Sequence, residues 1–75
     1  MLEKVAQLIQ EIVGNADLSV TAESTLKEDL GMNSYEVVQL AGSLEEAFDA
    51  AIPARKIKSL KTVQNILDCL QECQG

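Results

Sequence analysis

Apolar residues in the first segment of the chain recur at three- and four-residue steps: Leu2, Val5, Ile9, Ile12 and Val13, with Ala6 and Leu8 flanking the stripe. That period marks one face of an α-helix. Gly14-Asn15 supplies the stop, because glycine readily takes the left-handed turn that ends helices. From Ala16 to Gly31 the pattern dissolves into Asp, Ser, Thr, Glu and Gly, with isolated Leu18, Val20, Leu26 and Leu30. This predicts a long loop pinned to the core by single side chains, and so long a loop in a small domain usually has a job.

A second helical pattern begins at Asn33 and runs to about Asp49. Asn33 is a favoured N-cap, and Glu36, three residues on, can reach back to the Asn33 N–H in a variant of the capping box. At 100° per residue Val37, Leu40, Ala41, Leu44 and Phe48 fall on one side, the expected buried face. Tyr35, Val38, Gly42, Glu45, Glu46 and Asp49 fall on another. That second face joins a short apolar patch, a mid-helix glycine that costs about 1 kcal/mol of helix propensity, and several acids. It reads either as a solvated face with two stray apolar residues or as a docking surface for a basic partner.

Ala51-Ile52-Pro53 breaks the helix, and Ala54 to Leu60 reads as a short basic helical turn carrying Ile57 and Leu60. Thr62 can cap a last helix with Val63, Ile66, Leu67 and Leu70 inward. The expected fold is all-α: a small bundle of three main helices plus one short helix, forming one domain over residues 1–75. Internal repeats and low-complexity segments are absent from the sequence.

Length narrows the functions available, since a chain of 75 residues buries only roughly 60% of its unfolded surface and a deep catalytic cleft would consume most of that core. Charge narrows them further. Residues 1–50 hold ten Asp or Glu against Lys4 and Lys27, whereas residues 51–75 hold Arg55, Lys56, Lys58 and Lys61 against Asp68 and Glu72. A net charge of −6, one Phe, one Tyr and no Trp argue against a nucleic-acid partner and for a basic protein surface. The N-terminus enters an amphipathic pattern directly, and no apolar run approaches a membrane span. Cys69 and Cys73 would close too short a loop to staple anything distant, so they read as reduced thiols of a cytoplasmic protein.

The chain has no histidine, which removes Ser-His-Asp and Cys-His catalysis and histidine metal ligands. Glu28-Asp29 and Glu45-Glu46 are adjacent acids whose side chains diverge by 100° on a helix and do not form an acid/base pair. Cys69 and Cys73, four apart, could face one another, but the sequence offers no further ligands for a metal between them. What remains is Ser34, in the stretch Asp29-Leu-Gly-Met-Asn-Ser-Tyr-Glu36. It falls in the first turn of the second helix, where backbone N–H groups are unpaired and a phosphate on the hydroxyl would be well placed.

The stretch from Asp29 to Pro53, "DLGMNSYEVVQL…LEEAFDAAIP", resembles the acyl carrier protein family, whose hallmark is Asp-Leu-Gly followed shortly by Asp-Ser-Leu, then an acidic helix ending Leu-Glu-Glu-x-Phe and an Ile-Pro. The tail "LKTVQNILDCL" is similar to the family's fourth helix, so the resemblance covers essentially the whole chain. It implies a non-catalytic carrier: a phosphopantetheinyl transferase, using its own base and metal, moves 4′-phosphopantetheine from coenzyme A onto Ser34. The terminal thiol of that arm then carries acyl groups as thioesters in fatty-acid, polyketide or related biosynthesis. It further implies that Tyr35, Glu36, Val38, Gly42, Glu45, Glu46 and Asp49 dock the basic patches of synthases, transferases and acyl-loading enzymes. Val37, Leu40, Leu44, Phe48, Ile52, Leu60 and Val63 become candidate walls of an acyl pocket between the helices, with plain core as the other reading. The carrier is expected to be a monomer.

Three positions depart from the family's pattern. Asn33 stands where Asp is usual before the serine, Tyr35 replaces Leu, and Gln39 takes the place of a common acid. Together they imply a specialised carrier with its own synthase or, as the other reading, one that a general transferase modifies poorly. The other readings are a peptidyl or aminoacyl carrier, whose usual Gly-Gly and His or Asp before the serine Gly31-Met32-Asn33 does not match, and an unmodified carrier-like interaction module.

Overall fold

Four helices, α1 (Leu2–Val13), α2 (Ser34–Phe48), α3 (Ala54–Ser59) and α4 (Val63–Cys73), make up the regular structure of a computed structural model that describes residues 2–73. In α1 the three- and four-residue stripe does what its spacing predicts: Val5 and Ile9 are fully buried, and Leu2, Leu8, Ile12 and Val13 pack at the edges of the same core. Gly14, at φ 81°, turns the chain out of the helix. The Gly14 and Asn15 N–H groups both donate to the Gln10 carbonyl, at 2.9 and 3.0 Å, a closure that needs the left-handed conformation.

Helix α2 lies against α1 and α3 and buries Val37, Leu40, Ala41 and Leu44. Phe48, expected on that buried face, is half-buried, because α2 ends there and Asp49 turns out at φ 51°. An aspartate tolerates this left-handed position better than most residues. Pro53, extended at φ −66°, then starts α3.

Helix α4 begins with a reciprocal cap: Thr62 Oγ1 accepts from the Asn65 N–H at 3.2 Å, while Asn65 Oδ1 accepts from the Lys61 and Thr62 N–H groups at 3.0 and 3.1 Å. Its inward face is Val63, Ile66, Cys69 and Leu70. Leu67, expected inward, is only half-buried, and Cys69 takes the core position instead. At 100° per residue the buried arc of α4 is centred near Ile66, about 60° from Cys69 and about 100° from Leu67, which leaves Leu67 at its edge.

Between α1 and α2 the chain makes a long loop that is bonded rather than draped. Thr25 and Asp29 cap one another: the Thr25 N–H donates to Asp29 Oδ2 and the Asp29 N–H to Thr25 Oγ1, both at 2.9 Å. The same segment docks on the start of α4. There the Val63 and Gln64 N–H groups, which no helical carbonyl can satisfy, donate to the Ser24 and Ala22 carbonyls at 3.0 and 2.8 Å. The Leu26 N–H donates to the Lys61 carbonyl at 2.8 Å, and Thr25 pairs with Thr62 in an isolated antiparallel bridge. Leu26 and Leu30 are buried in the core and Leu18 and Val20 pack against it, as their isolated spacing predicts. Met32 and Ser24 are buried as well, the latter with its hydroxyl accepting from the Thr21 N–H at 3.0 Å. Among the described residues no helix is long and apolar enough to cross a membrane.

Candidate functional site

Ser34 is the first residue of α2 and is exposed. Its position is set from both sides. Upstream, buried Leu26 anchors the loop, its carbonyl accepts from the Met32 N–H at 2.9 Å, and Met32 is itself buried two residues before the serine. Downstream, the capping box is complete: the Glu36 N–H donates to Asn33 Oδ1 at 2.8 Å, and the Asn33 N–H donates to Glu36 Oε1 at 3.1 Å. The Val37 N–H already reaches the Asn33 carbonyl at 3.0 Å. Among the described residues this leaves the N–H groups of Ser34 and Tyr35 unpartnered at the positive end of the helix, next to an exposed hydroxyl. A phosphodiester on Ser34 Oγ meets favourable electrostatics there.

One flank of this point is apolar. Tyr35 is 77% exposed and Val38 57% exposed, and among the described residues they are the large hydrophobic side chains left in solvent. Gly42, one turn beyond Val38, is exposed in mid-helix, and a Cβ built on it would meet nothing within 4 Å. The fold therefore has no packing use for this glycine. We expect Gly42→Ala to stabilise the protein by about 0.5–1 kcal/mol, read as a shift of the urea midpoint. A loss of stability would instead mean that the fold itself needs the glycine.

The acids of the same helix are not equivalent. Glu46 and Asp49 are exposed, and no cation pairs with them among the described residues, where the ion pair is Lys56 with Glu72. Glu45 is half-buried, and its carboxylate accepts from the Ile52 N–H at 3.2 Å, tying the end of α2 to the segment before α3. Glu36 is half-buried and spends its carboxylate on the capping box. The charge offered outward is thus concentrated at the C-terminal end of the helix.

Of the seven candidate pocket residues, Val37, Leu40, Leu44, Ile52, Leu60 and Val63 belong to the buried core, and Phe48 packs against it. All seven thus belong to, or pack against, the same core as the rest of the helices. Cys69 and Cys73 are both free thiols, with sulfurs 3.8 Å apart. Burial, foremost, and then the hydrogen bond with Cys73 push the Cys69 thiol above its ordinary value. Sequence reasoning missed Met32 and the Thr25–Asp29 pair as the parts that place Ser34. The signal available was Thr25 with Asp29 four residues on, which reads as a turn only once Leu26 is known to be buried.

A model of the family described as "Phosphopantetheine attachment site" matches residues 3–70 of this chain. Relatives include an acyl carrier protein of Syntrophobacter fumaroxidans, 39% identical over 70 residues, covering 93% of this chain and 86% of that protein. Another is an acyl carrier protein of Thermobifida fusca, 33% identical over 72 residues, covering 96% and 91%. Among solved structures, one from Mycobacterium tuberculosis described as "a putative acyl carrier protein" superposes with a TM-score of 0.86 at 34% identity, covering 93% of each chain. The fold is that of the acyl carrier structure it superposes on. The chain belongs to the acyl carrier protein family, whose members are non-catalytic and whose cofactor is 4′-phosphopantetheine.

Proposed function

We propose that Ser34 is the residue to which 4′-phosphopantetheine is joined, and that the protein carries acyl groups between partner enzymes of fatty-acid, polyketide or related biosynthesis. One observation carries this reading. Ser34 presents an exposed hydroxyl at the start of a capped helix, beside two outward-facing N–H groups.

In the attachment step Ser34 Oγ attacks the phosphorus of coenzyme A that bears the pantetheine, and the bond to the departing 3′,5′-ADP breaks. The chain has no histidine to take the hydroxyl proton, so that proton goes to a base of the phosphopantetheinyl transferase. Once in place, the arm supplies a terminal thiol able to hold an acyl group as a thioester. This chain's own residues then hold the phosphate at the α2 start and offer a surface for partners. The Ser34 and Tyr35 N–H groups would hold the phosphate, and Asn33 and Glu36 keep the turn closed.

Synthases, transferases and acyl-loading enzymes with basic docking patches approach along α2. Tyr35, Val38 and Gly42 give contact, Glu46 and Asp49 give charge, and Glu45 and Glu36 add field from their bonded positions. A steered encounter with modest buried area suits a carrier that must leave each partner quickly. The residues Val37, Leu40, Leu44, Phe48, Ile52, Leu60 and Val63 are those that would have to part for a chain entering between the helices. In this reading the carrier is one domain over residues 1–75, a monomer, working in the cytoplasm.

The test is intact-protein mass after incubation with coenzyme A, magnesium and a broad-specificity phosphopantetheinyl transferase, followed by peptide mapping. We expect a gain of about 340 Da, one phosphopantetheine, on the peptide that contains Ser34. A gain on any other peptide, or none with either this transferase or the Asn33→Asp variant, would sink the assignment.

A further inference from the structure

Cys69 and Cys73 lie one helical turn apart on α4 with their sulfurs 3.8 Å from each other, and neither has a role in the site described above. Residues four apart on a helix keep their Cβ atoms about 5–6 Å apart. A disulfide needs about 3.5–4.5 Å, so the helix holds these thiols too far apart to join directly. They are, however, at the spacing that a single bridging atom asks for. A centre with sulfur bonds of about 2.3 Å at a tetrahedral angle places its two sulfurs about 3.8 Å apart.

The surroundings set the class of that atom. Among the described residues no group of three or more His, Cys, Asp or Glu is arranged to hold a metal ion, so a centre relying on four protein ligands does not fit. Access exists, since a surface cleft between α3 and α4, lined by Lys56, Leu60, Asp68 and Glu72, reaches Cys69. Cys73 stands half-buried in the last turn of the described helix.

We propose that Cys69 and Cys73 form a two-sulfur clamp for one thiophilic atom that brings its remaining ligands with it, the chemistry of a trivalent organoarsenical. The step is a ligand exchange with no change of oxidation state. With an arsenic oxide R–As=O, two S–As bonds form, the As=O bond is lost, and the two thiol protons leave with the oxygen as one water. The helix aligns both sulfurs beforehand, so the second bond forms within one chain, and the clamp outcompetes single thiols from solution.

The test uses the unmodified protein, whose two cysteines are then its only thiols, and phenylarsine oxide as the probe. After one equivalent of probe and a large excess of glutathione, we expect intact mass to show one phenylarsenic group per chain. Both cysteines should then be closed to iodoacetamide. Cys73→Ser and Cys69→Ser should each lose the adduct to glutathione, with far-UV circular dichroism confirming the fold of each variant. Cys73 is half-buried, so its variant decides the matter should the buried Cys69→Ser unfold. A wild-type adduct stripped by glutathione, or retained equally by folded Cys73→Ser, overturns the clamp.

Discussion

Ser34→Ala should abolish the gain of phosphopantetheine completely while leaving the stability of the protein within about 0.5 kcal/mol of wild type. The two halves of this expectation have separate causes. Loss of the gain follows from loss of the aliphatic hydroxyl at the first residue of α2, to which the phosphodiester is proposed to be joined. Retained stability follows from the division of labour in the cap: Asn33 accepts the Glu36 N–H and Glu36 accepts the Asn33 N–H, whereas Ser34 is exposed and its hydroxyl has no hydrogen bond among the described residues. Alanine is also the better helix former. Asn33→Ala is the contrasting change, since it removes the side chain that the first turn depends on and should cost about 1 kcal/mol. Measured side by side, intact mass and urea midpoints separate chemistry from folding. A Ser34→Ala protein that still gained the full mass would move the attachment elsewhere. One that unfolded would make the serine structural.

Most of the helical frame was legible because it rests on local rules. The stripe from Leu2 to Val13, the glycine after it and the Asn33–Glu36 pair each state their structure within a few residues, and each formed as read. What was not legible depended on distant partners. Nothing local says that Met32 is buried, because its burial follows from its N–H reaching Leu26, which in turn reaches Lys61. Periodicity alone put Leu67 inward on α4. The arc that is buried is centred near Ile66 and takes in Cys69, and the six-residue α3 leaves too faint a pattern to predict where it will lie.

The candidate site divides along the same line. Ser34 and the exposed flank of α2 were visible from helix geometry, together with the resemblance carried by Asp29 to Pro53. The unequal standing of the acids was not, since it takes the turn at Asp49 to bring the Ile52 N–H within reach of Glu45. Charge counted along a sequence treats Glu45 and Glu46 alike. In the fold one closes a turn and the other is open to solvent.

Leu26→Ala should be among the most damaging single changes in the loop, at about 2–5 kcal/mol. For a chain this short the total stability lies toward the low end of roughly 5–15 kcal/mol, so a large share of the molecules would unfold. Leu26 has no solvent exposure, and its backbone holds both neighbours: its N–H donates to Lys61 at the entry to α4, and its carbonyl accepts from Met32 on the way to Ser34. Truncating the side chain leaves a void at the point where the loop, α4 and the start of α2 meet. Leu18→Ala, at a half-buried position in the same loop, removes the same atoms from a site already partly in water and should cost well under half as much. Urea unfolding of the two variants gives the ratio, and hydrogen exchange adds the location. Leu26→Ala should speed exchange at the Met32 and Val63 N–H groups, while Leu18→Ala leaves them near wild type. Equal costs for the two would mean that the loop lies on the core as a strap. In that case the position of Ser34 would be set by the capping box of α2 alone.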